Sequence, residues 1–165
     1  MSKTNQDLKD AFAGESQANR RYLAFAKQAE KEGYPQIAKL FRAVAAAETV
    51  HALNHFRAMG GIGVTEENLK AAIAGENYEI VSMYPEFIAN AEREGEKRAG
   101  TSFNWAWEVE KEHEVLFKEA LEKLGKESAE LEIWVCPVCG HTHIGPRPDK
   151  CPICATPGAR FEQIE

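Results

Sequence analysis

Two segments of this 165-residue chain set a histidine three places after a glutamate, Glu48-x-x-His51 and Glu110-x-x-His113. A lone glutamate, Glu15 or Glu76, precedes each by 33 or 34 residues. Residues three or four apart share one face of an α-helix, so each pair aims a carboxylate and an imidazole in the same direction. The surrounding text repeats as well: LKDAFAGES, starting at Leu8, returns as LKAAIAGEN, starting at Leu69. The pattern predicts two related helical hairpins, each delivering one lone Glu and one Glu-x-x-His to a two-fold-related site.

The helices follow from periodicity. Residues 4–32 carry Leu8, Phe12, Glu15, Asn19, Tyr22, Ala26 and Ala29 at alternating spacings of four and three, the stripe of a bundle helix. Gly33, Tyr34 and Pro35 end it, and Pro35 suits the first turn of a second helix with the stripe Ile37, Phe41, Val44, Glu48, His51, His55 and Ala58. Gly60–Gly63 closes that helix, and Thr65 is the predicted cap of a third, through Leu69, Ala72, Glu76, Glu79, Met83 and Phe87, with Pro85 marking a kink or break. A fourth begins beyond Gly95–Gly100, runs through Phe103, Ala106, Glu110, His113, Phe117 and Leu124, and stops at Gly125. The predicted architecture is an all-α antiparallel four-helix bundle over 1–125, a charged linker over 126–132, and a small metal-knuckle domain over 133–165.

An unpaired carboxylate in an apolar interior costs several kcal/mol, and Glu15, Glu48, Glu76, Glu79 and Glu110 all lie on these stripes without a matching cluster of Lys or Arg. Two cations would balance them, and oxygen with imidazole donors suits iron or manganese. Glu79 exceeds the six-ligand pattern and offers one metal a choice between it and His51; a solvated position at the bundle surface is its alternative. Tyr22 and Tyr84 are candidate hydrogen-bond donors to the ligand carboxylates, or plain core residues. His55 reads as a core or supporting histidine.

All four cysteines fall in two CxxC pairs, Cys136-Pro-Val-Cys139 and Cys151-Pro-Ile-Cys154, the signature of a tetrathiolate metal site. Spacing alone favours structural zinc; a redox-active iron makes better sense beside an oxidant-consuming centre. His141 and His143, between the knuckles, are expected to face solvent. The 20 Lys+Arg against 26 Asp+Glu give a net charge of −6 without a basic cluster, which argues against nucleic acid. No stretch reads as a membrane span or secretory signal, and the expected location is the cytoplasm.

The combination, Glu15, Glu48-x-x-His51, Glu76-x-x-Glu79, Glu110-x-x-His113 and CPVCG…CPIC in that order, resembles the rubrerythrin family: a ferritin-like di-iron bundle followed by a rubredoxin-like iron domain. The resemblance implies two irons bridged by Glu48 and Glu110, with Glu15 and Glu76 terminal, His113 on one iron, and Glu79 exchanging for His51 on the other as redox state changes. It implies Tyr22 and Tyr84 as donors to those ligands and a third iron held by Cys136, Cys139, Cys151 and Cys154. The chain departs from the family pattern at His141, where a Tyr is expected, and in a slightly shorter loop between the knuckles.

The activity implied is peroxidase chemistry in oxidative stress defence: hydrogen peroxide reduced to water, with electrons from a rubredoxin or an NAD(P)H-dependent reductase. A homodimer or larger assembly is implied too. Helix rise alone carries the linker about 16 Å along the axis from His113, so a head-to-tail dimer is expected, one subunit's tetrathiolate iron facing the other's di-iron site. The rival reading is a ferritin-like protein that oxidises and stores iron; a third is a binding module with zinc in the cysteine knot.

Overall fold

The computed structural model describes residues 2–126 and 130–165. Residues 127–129, in the predicted linker, lie outside the described residues. Two compact units form, Met1–Gly63 and Val64–Glu165.

The first unit is a helical hairpin. Helix α1, Lys3–Lys31, starts at Ser2, whose hydroxyl accepts from the Asn5 amide at 3.2 Å. Helix α2, Pro35–Ala58, has Pro35 in its first turn, where no amide is needed. The buried residues of both helices are alanines, Ala18, Ala26 and Ala29 on α1 and Ala38, Ala45 and Ala52 on α2. Small side chains let the helices approach closely, and Asn19 clamps them by donating to the Ala45 carbonyl at 2.7 Å and the Thr49 hydroxyl at 2.9 Å. Phe12 and Phe56 stack at 4.9 Å. This seam runs beside the stripe predicted for α2, whose Ile37 and Val44 are exposed at 48% and 36%. A bundle helix carries two apolar edges, and simple periodicity merges them.

In the second unit, α3, Thr65–Tyr78, opens with Thr65 already inside the helix; its cap is Val64, whose amide donates to the Glu67 carboxylate at 3.0 Å. The break foreseen at Pro85 takes the form of a π-helical turn, Glu79–Met83, before α4, Tyr84–Glu94. Helix α5, Lys97–Lys123, packs along α3, the π-turn and α4.

The C-terminal head is a three-stranded antiparallel sheet: β1, Ile133–Val135, lies between β2, Thr142–Ile144, and β3, Glu162–Ile164. Two knuckles hang from it in matching conformations. In one, Gly140 N donates to Cys136 O and Cys136 N to His141 O; in the other, Ala155 N donates to Cys151 O and Cys151 N to Thr156 O. Gly140 and Ala155 occupy the same left-handed place, at φ 87° and 64°. Gly158 is required for space, because a Cβ there would stand 1.6 Å from the Pro148 carbonyl oxygen.

A non-glycine residue in the left-handed region costs about 1 kcal/mol. Ala155→Gly is expected to stabilise the head by up to roughly 1 kcal/mol, read as a higher unfolding midpoint in denaturant followed by the metal–thiolate absorbance.

Candidate metal centres

Three groups of ligand-type side chains converge, each with donor atoms within 4.8 Å of one another: Glu15, Glu48 and His51 in the first unit, and Glu76, Glu110 and His113, then the four cysteines, in the second. In the first group, His51 Nδ1 stands 2.8 Å from Glu48 Oε2, the contact that i,i+3 spacing on α2 creates. Glu48 is largely covered and His51 exposed. Tyr22, on the same face of α1 as Glu15, packs with Phe25 and Phe41. His55 is half-buried on α2.

The second group shows how an apolar setting handles like charges. Burial, then the hydrogen bond and charge of Glu110, raise Glu76 to about 7. Burial also works against the charge on Glu110, but hydrogen bonds from His113 and Glu76 outweigh it and hold that carboxyl below its usual range. His113 is raised, first by its hydrogen bond to Glu110, with Nδ1 2.7 Å from Glu110 Oε2. The cluster thus shifts toward holding protons on Glu76 and His113 while Glu110 keeps its charge. Glu79 is raised by burial and then by the charge of Glu110. Tyr84 is raised by burial and by the charges of Glu79, Glu110 and Glu76, and packs with Phe87 and Phe103.

Glu79 stands at the first position of the π-turn, and the turn has an identifiable anchor. The Tyr84 amide reaches back five residues to the Glu79 carbonyl. The next amide in that ladder would be that of Pro85, which has none, so the Ile80 carbonyl would lose its partner. Trp107 on α5 supplies one: its indole N–H donates to the Ile80 oxygen at 2.9 Å. The Lys111 ammonium covers the Trp107 ring at 3.3 Å and pairs with Glu108 at 2.8 Å. Sequence reasoning did not single out Trp107; Pro85, which marks the break and lacks an amide, is the one local signal beside it.

The four cysteines are free thiols, with Cys136 Sγ 3.6 Å from Cys154 Sγ and Cys139 Sγ 3.5 Å from Cys151 Sγ. These separations are near the edge of about 3.8 Å in a tetrahedron with metal–sulfur bonds of ~2.3 Å, far from a disulfide. Burial raises Cys139 and Cys151. It works against the Cys154 thiolate as well, but the hydroxyl and amide of Thr156 bring that thiol down to about 6. One thiolate at neutral pH gives a cation its first ligand.

The head packs against α5. Thr142 Oγ1 lies 3.0 Å from His113 Nε2, and His141, expected in solvent, is 6% exposed with Nδ1 hydrogen-bonded to the Glu112 carboxylate. Strand β2 thus doubles back over the helix to the level of His113, undoing the separation that helix rise suggested. Thr142 donates its own proton to Gly140 O at 3.3 Å and so accepts from His113 Nε2–H. That leaves His113 Nδ1 as the nitrogen turned toward the carboxylates.

Residues 7–121 match the family model Rubrerythrin, and residues 134–162 that of the rubrerythrin rubredoxin-like domain. The chain belongs to the rubrerythrin family. It is 38% identical to Rubrerythrin-2 of Clostridium acetobutylicum over 94% of this chain and 93% of that one. It is 41% identical to Rubrerythrin of Porphyromonas gingivalis, over 99% and 91%. A solved structure of fully reduced, all-ferrous nigerythrin aligns with a TM-score of 0.60 at 34% identity, covering 99% of this chain and 88% of that one. The fold is therefore ferritin-like helices with a rubredoxin-like head. The family's cofactors, a di-iron site and one iron in the head, fit the donors present: oxygen with imidazole for the pair, four thiols at tetrahedral spacing for the single ion. Among the described residues no helix is long and apolar enough to cross a membrane.

Two outcomes are expected. Trp107→Phe keeps the ring but leaves the Ile80 carbonyl without its donor, destabilising the unit by about 1 kcal/mol in chemical denaturation. Metal loading must displace the protons on Glu76 and His113, so affinity falls as pH drops through 7: Mn(II), which favours oxygen donors, should bind roughly tenfold or more weakly at pH 6 than at pH 8 by calorimetry.

Proposed function

We propose that the chain is a peroxidase that reduces hydrogen peroxide to two waters, taking up two electrons and two protons per turnover. Rubrerythrin family membership supports an oxidoreductase. The observation that carries the finer reading is the Thr142–His113 contact, which puts the four-cysteine head one hydrogen bond from a carboxylate–histidine cluster. A storage protein has no use for such a junction.

The donors fall into two sets, Glu15, Glu48 and His51, and Glu76, Glu79, Glu110 and His113, each offering the carboxylate and imidazole donors that suit iron. When bound, the iron pair supplies Lewis acidity and the two electrons that break the O–O bond, and the four-thiolate iron passes replacements singly. The protein's part is to hold and move protons and charge. Glu110 accepts from both neighbours; by the family pattern it and Glu48 would be the carboxylates shared by the irons, and Glu76 and Glu15 would each hold one. Glu76 gives up its proton when a cation arrives and recovers it when charge is withdrawn. By the family pattern Glu79 would be the carboxylate that exchanges with His51 as redox state changes. Tyr84, raised by Glu79, Glu110 and Glu76, keeps its hydroxyl proton and can donate it to a ligand oxygen; Tyr22 has the same role in the first set.

Functionally the chain divides into the helical part, 1–125, a linker, 126–132, and the electron-entry head, 133–165. A reducing cytoplasm suits the free thiols, and a rubredoxin or NAD(P)H-dependent reductase is the class of donor that the head would meet.

Reduced holoprotein mixed anaerobically with one equivalent of hydrogen peroxide should consume it within the dead time or first seconds, with the four-thiolate absorbance appearing afterwards. Glu110→Ala should lower that consumption by roughly a hundredfold or more and leave the absorbance of the head intact; Cys151→Ser should abolish the absorbance and slow only repeated turnover. Undiminished turnover in Glu110→Ala, or loading with far more than three irons per chain, would remove the peroxidase reading.

A further inference from the structure

The head touches α5 along one face. Val109, Glu112, His113 and Leu116 recur at helical spacings of three and four, which gathers them on one side of α5. Val109 is 1% exposed, and a Cβ built on Gly140 would stand 4.0 Å from its Cγ1. Thr142 caps His113, as described. His141 is the buried polar member of the contact: its Nδ1 donates to the Glu112 carboxylate, and its Nε2 is buried with no partner among the described residues. Its ring packs edge-on against Phe161 at 6.2 Å, and Phe161 belongs to the cluster formed around Cys136 and Cys151. An imidazole buried at an interface and tied by a single charged hydrogen bond is costly unless that bond is kept. Removing either partner leaves the other unsatisfied at the junction.

We propose that Glu112 and His141 are a positioning pair that seats the head on the helix of its own chain carrying Glu110 and His113, and so fixes the crossing between the two metal sites. The proposal rests on the peroxidase reading only for the purpose of the crossing; the seating stands on geometry. With the pair intact, the route from Cys139 is continuous: the Gly140 peptide, the Thr142 hydroxyl bonded to its carbonyl, and the His113 imidazole bonded to that hydroxyl. One electron crosses at a time, leaving the head oxidised and the carboxylate–histidine site reduced, and an external one-electron carrier then re-reduces the head. With the pair broken, the head remains tethered by the linker but the contact opens, and the Thr142–His113 bond opens with it.

The test uses the iron-loaded full chain and its variants Glu112→Ala, His141→Phe and the double variant. Amide hydrogen exchange, read by mass spectrometry on peptides covering 135–144 and 108–117, should quicken at least tenfold in each single variant and no further in the double, since either change breaks the same bond. The visible spectrum of the head should not change, because the knuckle hydrogen bonds use the His141 backbone and not its ring. After peroxide addition the head should become oxidised at least tenfold more slowly than in the parent, while the first equivalent of peroxide is consumed at the parental rate. Exchange that is unchanged in both single variants, or that adds up in the double, overturns the pair. Head oxidation at the parental rate despite quickened exchange overturns its role in the crossing. Failure of the parent to consume peroxide would sink the peroxidase reading and leave the exchange result to decide the seating.

Discussion

Carboxylates gathered on the inner faces of packed helices are the constraint on which the rest of this protein depends. Two carboxylates with donor atoms within 4.8 Å of one another disfavour each other's ionised form. The cluster around Glu110 deals with this by shifting its proton affinities apart: Glu76 and His113 are raised and Glu110 is lowered. A cation arriving there displaces protons in place of water, so the site is held ready by the groups it will later ionise.

The pairing of the candidate ligands was legible because their spacing obeys the period of a helix, and periodicity survives in a bare sequence. Glu48 with His51 and Glu110 with His113 pair in space as i,i+3 requires. The CxxC knuckles were legible because the turn that follows such a pair is local. Gly33 and Pro35 marked the first hairpin for the same reason. What escaped depends on contacts far apart in the chain. The alanine seam of α1 and α2 lies beside the stripe that larger residues define, and small side chains carry little weight in a hydrophobic pattern. His141 looked like a solvent residue until Glu112, 29 positions earlier, was seen against it.

Junctions of this kind explain why a linker says little about where its cargo rests. Lys126 to Glu132 reads as a spacer, yet β2 returns along α5 almost to the middle of the helix. The head is a small unit with a core of thiols and a few apolar residues, among them Phe161 and Trp134. Its outer surface therefore has to serve two demands: closing its own metal site and meeting the helix. Thr142 and His141 stand where these demands overlap, next to a knuckle glycine in the left-handed conformation.

The π-turn carries a last consequence. One surplus residue inside a helix advances all that follows by about 100°, so the halves before and after Glu79–Met83 look toward different neighbours although they form a single rod. Deleting one residue between Ile80 and Met83 would restore an ordinary helix and turn α4 to a different face relative to α3. The extra residue thus decides which way Tyr84 and Phe87 face relative to Glu79: without it the same letters would sit on a differently turned helix.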